Sequence, residues 1–437
     1  MSSALQKLLS LDFSKDLRKI VANIGWLFAG RFLRMTVGLF VGVWIARYLG
    51  VVQFGVLSYA MAFVALFNTF SNLGLPALVV RTITHEPEKK EQILGTTFWL
   101  QLFGGIATLL LSMSMVFGLH HDDQLTMSLV GLLASAGIFR AFETIDLWFQ
   151  SQLQSKYTVL AKNTAFLVIS IAKVILINVR APLLAFAWAT LAEVLIGALS
   201  LIVFYKIQGG ALRLWRWSLP LAKSLLKESW PLILSGFSIV IYMKIDQIML
   251  GKMIGPRALG LYSSATRISE VWYFIPTAIA SSCAPSIYAA RQEENTTSFY
   301  QKIAQLLRVL SIIVILISIP MTFMSGNLIN LLYGYEYREA GSILAIHIWS
   351  ALFVFTGVGT SAWFIAEGLT YLSFRKTLLG AIINVILNLF LIPTYSGNGA
   401  AVATVISYSI AAFFSNAFSK QTRGLFYIQL KSFLLIK

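Results

Sequence analysis

The chain consists almost entirely of apolar stretches long enough to span a membrane, separated by short polar turns. A transmembrane helix needs about 20 consecutive residues that are mostly apolar. With turn residues and charges as boundaries, the sequence predicts twelve such helices, at 20–46, 54–79, 96–118, 125–149, 158–179, 182–205, 230–250, 261–287, 306–325, 342–366, 372–393 and 398–418. The predicted fold class is therefore an all-α polytopic membrane protein.

The composition excludes a soluble globular protein. Of the 437 residues, 57% are hydrophobic and only 12% are charged, whereas about 25% of the residues of a soluble domain are charged. The net charge of +16 could indicate nucleic-acid binding, but the cations are scattered between the apolar stretches and form no single basic stripe. We therefore expect membrane lipid, and no nucleic acid, around this chain.

The positions of Lys and Arg predict the orientation. If the N-terminus is cytoplasmic, 23 of these residues fall at the cytoplasmic ends of the predicted helices and 5 in the external turns. Cytoplasmic loops of membrane proteins carry such an excess of cations. The sequence thus predicts a multi-pass protein with both termini in the cytoplasm.

An internal repeat divides the chain into two halves. The segment IARYLGVVQFGVLSYA (45–60) returns without a gap as LGKMIGPRALGLYSSA (250–265), pairing Gly50 with Gly255 and Gly55 with Gly260. Six helices per copy predict two lobes of the same orientation, related by a pseudo-two-fold axis along the membrane normal, with a central cavity between them. The predicted organisation is a cytoplasmic amphipathic N-terminal segment (1–19), an N-lobe (20–205), a cytoplasmic linker (206–229), a C-lobe (230–418) and a cytoplasmic tail (419–437).

Several ionisable residues lie inside the predicted helices, where they cost a few kcal/mol each and usually face a bundle interior or a wet cavity. The cations are Arg31, Arg34, Arg140, Lys173, Lys244 and Arg267, and the anions are Glu143, Asp146, Glu193, Asp246, Glu270 and, near a helix end, Glu367. For Lys173, extension toward the membrane interface is a sufficient explanation.

The spacing of these charges leaves structural and functional interpretations open. Arg140–Glu143 and Arg267–Glu270 are three residues apart, which suits an ion pair within one helix and equally the lining of a cavity. Arg31 and Arg34 have the same spacing but the same sign. They would repel each other unless they pair with carboxylates of other helices or bind an anion between them, such as a phosphate-bearing headgroup that Arg binds in a bidentate manner.

Asp246 is the first candidate for ion coupling. Lys244 lies only two residues away and points in another direction on a helix, so the two do not neutralise each other. Asp246 could bind a coupling proton or sodium ion, or form a salt bridge with the other lobe. Asp146, Glu143 and Glu270 are further candidates.

No other chemistry is indicated. His120, His121, Asp122 and Asp123 fill a short turn, which favours a solvated loop over a metal site. No P-loop, dinucleotide fingerprint or nucleophile elbow is present in the sequence. We expect a transporter with no cofactor apart from H⁺ or Na⁺ coupling, and no enzyme.

Three segments resemble a known family. PLILSGFSIVIYMKIDQIMLGKMIGPRALGLYSSATRISEVWYFIP (231–276), IARYLGVVQFGVLSYAMAF (45–63) and DLWFQSQLQSKY (146–157) are similar to O-antigen or polysaccharide-unit flippases (Wzx-like). These form the polysaccharide transporter branch of the multidrug/oligosaccharidyl-lipid/polysaccharide exporter superfamily.

The resemblance implies a flippase for undecaprenyl-diphosphate-linked oligosaccharide in a bacterial cytoplasmic (inner) membrane, working by alternating access beside glycosyltransferases and a polysaccharide polymerase. It also implies a cavity lined by cations, and the candidates are Arg31, Arg34, Arg140, Lys244 and Arg267. The alternatives are a multidrug or lipid transporter or scramblase of the same superfamily, and a membrane-embedded glycan polymerase or ligase.

Overall fold

The structure, a computed structural model, describes residues 13–293 and 296–434, and every regular element in these ranges is a helix. Numbered along the chain, the α-helices are α1 (Phe13–Asn72), α2 (Pro76–His85), α3 (Lys90–Leu119), α4 (Gln124–Phe139), α5 (Thr144–Ser151), α6 (Ser155–Asn178), α7 (Leu183–Ile207), α8 (Leu219–Met253), α9 (Pro256–Glu270), α10 (Phe274–Gln292), α11 (Thr296–Tyr333), α12 (Ala340–His347), α13 (Ser350–Ala366), α14 (Thr370–Ser409), α15 (Ser415–Phe418) and α16 (Arg423–Phe433). A 3₁₀ turn joins α4 to α5 and another joins α9 to α10, while a π-helical segment, Ile410–Phe414, joins α14 to α15.

The long helices agree with the predicted spans. In the described part of the chain, nine helical stretches are long and apolar enough to cross a membrane. Two of them are broken inside by a non-helical residue, Gly50 in α1 and Ser396 in α14, so each supplies two spans. The α9–α10 pair covers the stretch predicted as a span at 261–287, although it is not one of these nine. The predicted all-α polytopic fold is confirmed.

The second span is placed differently from the prediction. The second predicted transmembrane helix is 54–79. In the structure, however, α1 ends at Asn72, and Pro76 begins the separate helix α2. Leu73 and Gly74 both have positive φ and turn the chain at this point. A proline is well suited to the first turn of a helix because its missing N–H would have no partner there, so Pro76 starts a helix and does not bend one.

The surface is that of a protein in lipid. Large apolar side chains such as Phe323 (83% exposed), Leu331 (73%) and Phe390 (72%) project outward from the spanning helices. Soluble monomers rarely expose contiguous apolar patches of more than a few hundred Å². Together with the spanning helices, this surface establishes a multi-pass membrane protein.

The internal repeat is visible in the backbone. Gly50 and Gly255 both have positive φ (69° and 117°) and extended ψ (170° and 178°), so the same break ends the first helix of each copy. Such a conformation favours glycine because it has no Cβ. The paired residues of the two copies therefore occupy equivalent positions in the two halves.

Residues at the chain termini and between the halves are placed as follows. Of the predicted N-terminal segment 1–19, residues 1–12 lie outside the described residues, and the remainder belongs to α1, which begins at Phe13. The predicted linker 206–229 contains the 3₁₀ turn Leu212–Leu214, and from Leu219 onward it is already part of α8. In the predicted tail, α16 packs against the bundle with Leu425 and Gln429 buried. The division into two lobes stays a prediction.

The turns lie at two ends of the bundle. We call the end at 120–123, 254–255 and 334–339 the distal end, and the end at 86–89, 152–154 and 419–422 the proximal end. At the distal end the two halves are bonded directly, since Tyr337 Oη donates to the Ala46 carbonyl at 2.7 Å and Lys252 Nζ donates to the Leu119 carbonyl at 2.7 Å.

Candidate functional site

A cavity of about 280 Å³ lies between the two halves of the chain, and we call it the central cavity. The second segment of α1 forms one wall, with small and apolar side chains. Helices α8 and α9 form the other wall and supply its charged groups. The lining residues are Phe54, Ser58, Met61, Ala62, Ala65, Lys244, Gln247, Ser263, Thr266, Arg267 and Glu270.

The central cavity has a surplus of positive charge. Lys244 Nζ lies 3.2 Å from a carboxylate oxygen of Glu270 and pairs with it across α8 and α9. Arg267 has no carboxylate within ion-pair distance in the described chain, and its guanidinium donates to the Gly38 carbonyl of α1 at 3.4 Å. Two cations therefore face one carboxylate, and Arg267 is the one without a carboxylate partner in the described chain. The spacing of Arg267 and Glu270 suggested an ion pair within one helix. This pair does not form, because the Glu270 carboxylate binds Lys244 instead.

Arg267 fits against α1 because that helix has a glycine at the contact. A Cβ added to Gly42 would overlap the Arg267 guanidinium. The guanidinium of one half of the chain thus lies on the backbone of the other half.

A second group of charges lies inside the N-terminal half, and we call it the N-half cluster. It lines a cavity of about 150 Å³ with three cations and two carboxylates, Arg34, Arg140, Glu143, Lys162 and Glu193.

Lys162 pairs with Glu143 of the N-half cluster and with Asp146, which lies beside that cluster. Its Nζ lies 2.9 Å from Asp146 and 3.5 Å from Glu143. Arg140 has no carboxylate within 4 Å in the part of the chain that the structure describes, so the spacing-based Arg140–Glu143 pair does not form either. Lys162 lies near the start of the predicted helix 158–179, and the sequence analysis did not single it out. Its side chain is partly buried and pairs with two carboxylates at this cluster.

Arg31 and Arg34 lie in different environments and share no bonding partner in the described chain. Arg34 Nε donates to Asn163 Oδ1 at 2.8 Å, another guanidinium nitrogen donates to the Lys162 carbonyl, and the guanidinium lies 5.3 Å from the Phe166 ring centre. These acceptors are neutral, so the charge of Arg34 stays available. Arg31 is exposed, with no hydrogen-bond partner among the described side chains.

Lys173 and Glu193 pair with each other, Nζ to Oε2 at 3.4 Å, and both are partly buried. Lys173 therefore does not need to extend to the membrane interface, because the Glu193 carboxylate of the neighbouring helix α7 neutralises its charge.

Asp246 sits in a separate, fully buried polar site of the C-terminal half. Its carboxylate accepts hydrogen bonds from the Tyr262 hydroxyl, from Thr404 Oγ1 at 3.3 Å and from the Gln247 backbone N–H at 2.7 Å. No Lys or Arg of the described chain lies within 4 Å of it, because Lys244 turns toward Glu270. This arrangement of a carboxylate and hydroxyl oxygens suits a proton or a small hard cation, which prefers oxygen ligands.

Sequence reasoning missed two of the groups around Asp246. Tyr262 aligns with Leu57 in the first copy of the repeat, and this replacement of an apolar by a polar residue was the available signal. Thr404 gave no signal, since threonine is ordinary in a membrane helix. His347 is likewise buried and hydrogen-bonded to Ser269, with 2.6 Å between Nδ1 and Oγ.

The polar turn 120–123 has structural roles. Asp123 caps α4 by accepting from the Thr126 N–H at 3.0 Å and the Thr126 hydroxyl at 2.6 Å. Burial raises the pKa of Asp123, but these hydrogen bonds outweigh it and leave the pKa below its usual value. His120 Nε2 lies 2.9 Å from the Tyr59 hydroxyl, and His121 pairs with Asp122 in the exposed part of the turn.

Comparison with protein families gives two overlapping matches. Residues 20–287 match the family described as Polysaccharide biosynthesis protein, and residues 231–390 match the family described as MatE. Together they cover the central cavity, the N-half cluster and Asp246.

Two curated relatives match part of the chain. The probable flippase AglR of Haloferax volcanii is 27% identical over 176 residues, which are 39% of this chain and 36% of that protein. The capsular polysaccharide biosynthesis protein CapF of Staphylococcus aureus is 26% identical over 168 residues, 38% of this chain and 42% of that protein. The matched part of the chain thus spans about two fifths of the length of these curated relatives.

Solved structures share the fold over nearly the whole chain. An inward-facing multidrug resistance MATE family transporter of the MOP superfamily has a TM-score of 0.75 at 15% identity, covering 92% of this chain and 95% of that one. The lipid II flippase MurJ in an inward closed conformation has a TM-score of 0.74 at 17% identity, covering 93% and 90%. At such identities the likeness establishes the transporter fold alone.

Proposed function

Because the chain belongs to the polysaccharide biosynthesis protein family, we propose that it is a flippase that moves polyprenyl-diphosphate-linked oligosaccharide units across the membrane for surface polysaccharide biosynthesis. The resemblance noted in the sequence is thereby confirmed at the level of the family. In this proposal the lipid is undecaprenyl diphosphate, the membrane is the bacterial cytoplasmic membrane, and the proximal end with both termini faces the cytoplasm. Glycosyltransferases would supply the substrate and a polysaccharide polymerase would consume it.

The surplus cation of the central cavity carries this proposal. A lipid-linked sugar combines an apolar tail, a diphosphate and a polar glycan. Arg267 lies where the two halves meet, and its planar guanidinium can bind phosphate oxygens in a bidentate manner. The tail could then remain in lipid while the cavity holds the diphosphate, so no apolar group would have to cross a polar region.

The N-half cluster would extend the positive surface. Among the described residues, Arg34 and Arg140 have no carboxylate partner at ion-pair distance, and Arg31 lies one turn before Arg34 on α1. In this proposal Arg31, Arg34 and Arg140 attract the anionic substrate, while Lys244 holds Glu270 and leaves Arg267 free. Alternating access of the two halves would then present the bound diphosphate first to one side of the membrane and then to the other.

Asp246 is our candidate for ion coupling. Of the four carboxylates considered for coupling, Glu143 and Asp146 bind Lys162, and Glu270 binds Lys244. Within the described chain, Asp246 is hydrogen-bonded to neutral groups only, so binding of H⁺ or Na⁺ would change its local charge most. Coupling to either ion would give the transport its direction.

The experiment that tests the proposal is Arg267→Gln in cells that depend on this chain for surface polysaccharide. We expect loss of surface glycan and accumulation of lipid-linked units on the cytoplasmic side. Arg257→Gln is the matched control, because Arg257 is an exposed cation near the start of the same helix, α9, and pairs with Glu339 at the distal end. Normal export in Arg267→Gln would remove this residue from the mechanism.

The alternative functions predict other outcomes, in this experiment and in two further assays. A multidrug or lipid transporter or scramblase would leave the glycan unchanged and alter drug resistance or lipid exchange. A glycan polymerase or ligase would form longer lipid-linked glycans when purified and supplied with single units. Either result would replace the flippase proposal.

A further inference from the structure

A cavity of about 340 Å³ lies within the C-terminal half, and it shares no lining residue with the central cavity. We call it the C-half cavity. Its walls come from α8, α13, α14 and the π-helical segment Ile410–Phe414, and they are mostly aromatic and aliphatic. The aromatic lining residues are Tyr242, Tyr273, Phe353, Phe364 and Tyr408. Lys376 is the one charged group among its described lining residues.

The charge of Lys376 is not neutralised by the protein. Its Nζ donates to Asn416 Oδ1 at 2.6 Å and lies 4.3 Å from the centre of the Phe364 ring. The Asn416 amide nitrogen donates to Gln429 of α16 at 2.7 Å, which turns the amide oxygen toward Lys376. No carboxylate of the described chain lies within 4 Å of the ammonium. A largely buried cation with only neutral partners is costly unless an anion joins it.

Two stacked tyrosines line the same cavity. The rings of Tyr242 and Tyr408 stack at 4.1 Å between centres with an angle of 19°. Both line the C-half cavity, and neither hydroxyl has a hydrogen-bond partner in the described part of the chain. A phenol hydroxyl can donate to an oxyanion, and hydrogen bonds to charged acceptors are the stronger ones. The two hydroxyls are therefore further donors in the cavity that holds Lys376.

The backbone beside these donors is unusual. A π-helical turn begins two residues after Tyr408 and contributes only the small side chains of Ala411 and Ala412 to the wall. Single π turns are rare and are found mostly at functional sites. The mouth of the cavity includes Ile239 and Ser361, which are exposed, so a ligand could enter with an apolar part still in lipid.

We propose that the C-half cavity binds the phosphate group of an anionic amphiphile, with the phosphate at Lys376. The apolar part of the ligand lies against the aromatic and aliphatic walls. A cavity of this size holds a phosphate with a few carbon atoms and is too small for an oligosaccharide, so this site is separate from the proposed transport route. The shared chemistry is the phosphate, whether it comes from a phospholipid headgroup or from free phosphate.

The test measures binding to the purified full-length chain in two arms, inorganic phosphate in a non-ionic detergent and phosphatidylglycerol against phosphatidylcholine in nanodiscs. Native mass spectrometry counts the lipid retained, and calorimetry measures the free anion. We expect Lys376→Gln to weaken binding about tenfold, as the loss of one charge-assisted contact implies. Binding of phosphate alone identifies the free anion as sufficient, and binding of phosphatidylglycerol alone identifies a need for the apolar part.

Arg375→Gln is the matched control, because Arg375 is the adjacent cation on α14, is exposed and lies 5.8 Å from the Tyr371 ring centre. Lipid that merely surrounds the protein would be lost equally from both variants. If Lys376→Gln does not fold, Lys376→Met keeps the length of the side chain and removes its charge, and it should weaken binding to a similar extent. Unchanged affinity in these variants, or no phosphate binding by the unaltered chain in either arm, would overturn the proposal.

Discussion

Gly55 and Gly260, which are equivalent in the repeat, pack reciprocally across the junction of the two halves. A Cβ at Gly55 would overlap the Pro256 carbonyl, and a Cβ at Gly260 would overlap the Val51 carbonyl. Val51 and Pro256 are themselves repeat equivalents, since both lie 205 residues apart like the glycines. The close contact therefore follows the pseudo-two-fold axis, and it depends on two residues without side chains. Small residues have this role in many membrane helix pairs.

We expect Gly55→Ala to destabilise the protein by about 1–3 kcal/mol, because the added methyl group meets backbone that cannot move aside. Gly260→Ala should have a similar effect, since the contact is symmetrical. The measurement is the midpoint of thermal unfolding in detergent. Gly118→Ala is the control, as its Cβ would meet nothing within 4 Å. Equal midpoints for all three variants would contradict a tight junction.

Removal of Lys244 should leave Glu270 as an uncompensated carboxylate in the central cavity. We expect Lys244→Gln to cost about 1–3 kcal/mol of stability, less than for a fully buried pair because both side chains are about a quarter exposed. Glu270→Gln added to Lys244→Gln should restore part of the loss. A double-mutant cycle on thermal unfolding measures the coupling.

The exposed pair Arg81–Glu228 provides the comparison for that cycle. Its two atoms lie 2.5 Å apart, but the side chains are about half exposed. Such surface pairs contribute about 0–1 kcal/mol. A coupling energy for Lys244–Glu270 no larger than that for Arg81–Glu228 would show that the cavity is as well solvated as the surface.

Asp246→Asn should abolish the response of transport to an ion gradient. The amide keeps the size of the side chain and can still accept from Tyr262, so the fold should be retained, but it can no longer exchange a proton or neutralise a cation. Flipping of labelled lipid-linked oligosaccharide is measured in vesicles with an imposed H⁺ or Na⁺ gradient. Asp122→Asn, in the exposed distal turn, should respond like the unaltered chain. A gradient response that survives in Asp246→Asn would place coupling elsewhere.

His120 should make stability fall in acid. Burial lowers the pKa of this histidine, and the nearby Lys252 lowers it further, although Asp123 opposes both. The folded protein thus binds the proton less readily than the unfolded chain, whose histidine titrates near pH 6.5. The stabilising contribution is therefore present above about pH 6.5 and is lost as the pH falls through the lower folded pKa.

His120→Gln tests this pH dependence, because glutamine can still bond to the Tyr59 hydroxyl but does not titrate. We expect the unfolding midpoint of this variant to change less between pH 7 and pH 5 than that of the unaltered chain. His85→Gln, at an exposed position, serves as the control. Identical pH profiles for His120→Gln and the unaltered chain would exclude His120 as the source.

The twelve apolar stretches predicted the helical class and most helix positions, because a backbone in lipid must satisfy its own hydrogen bonds and helices do this locally. The repeat predicted equivalent positions in the two halves, and Gly50 and Gly255 confirm this with the same backbone break. The error in the second span came from Pro76. Hydropathy reports a continuous apolar run there, while the turn at Leu73 and Gly74 depends on backbone conformation.

Sequence by itself determined that this chain is a duplicated, membrane-spanning helical protein with charges buried in it. Only the tertiary structure decided which charges meet. Spacing along one helix suggested Arg140–Glu143 and Arg267–Glu270, whereas the carboxylates bind Lys162 and Lys244 of neighbouring helices. The physical reason is that helix formation is local, but a buried charge selects its partner from all the helices packed around it, and their arrangement is a property of the whole fold.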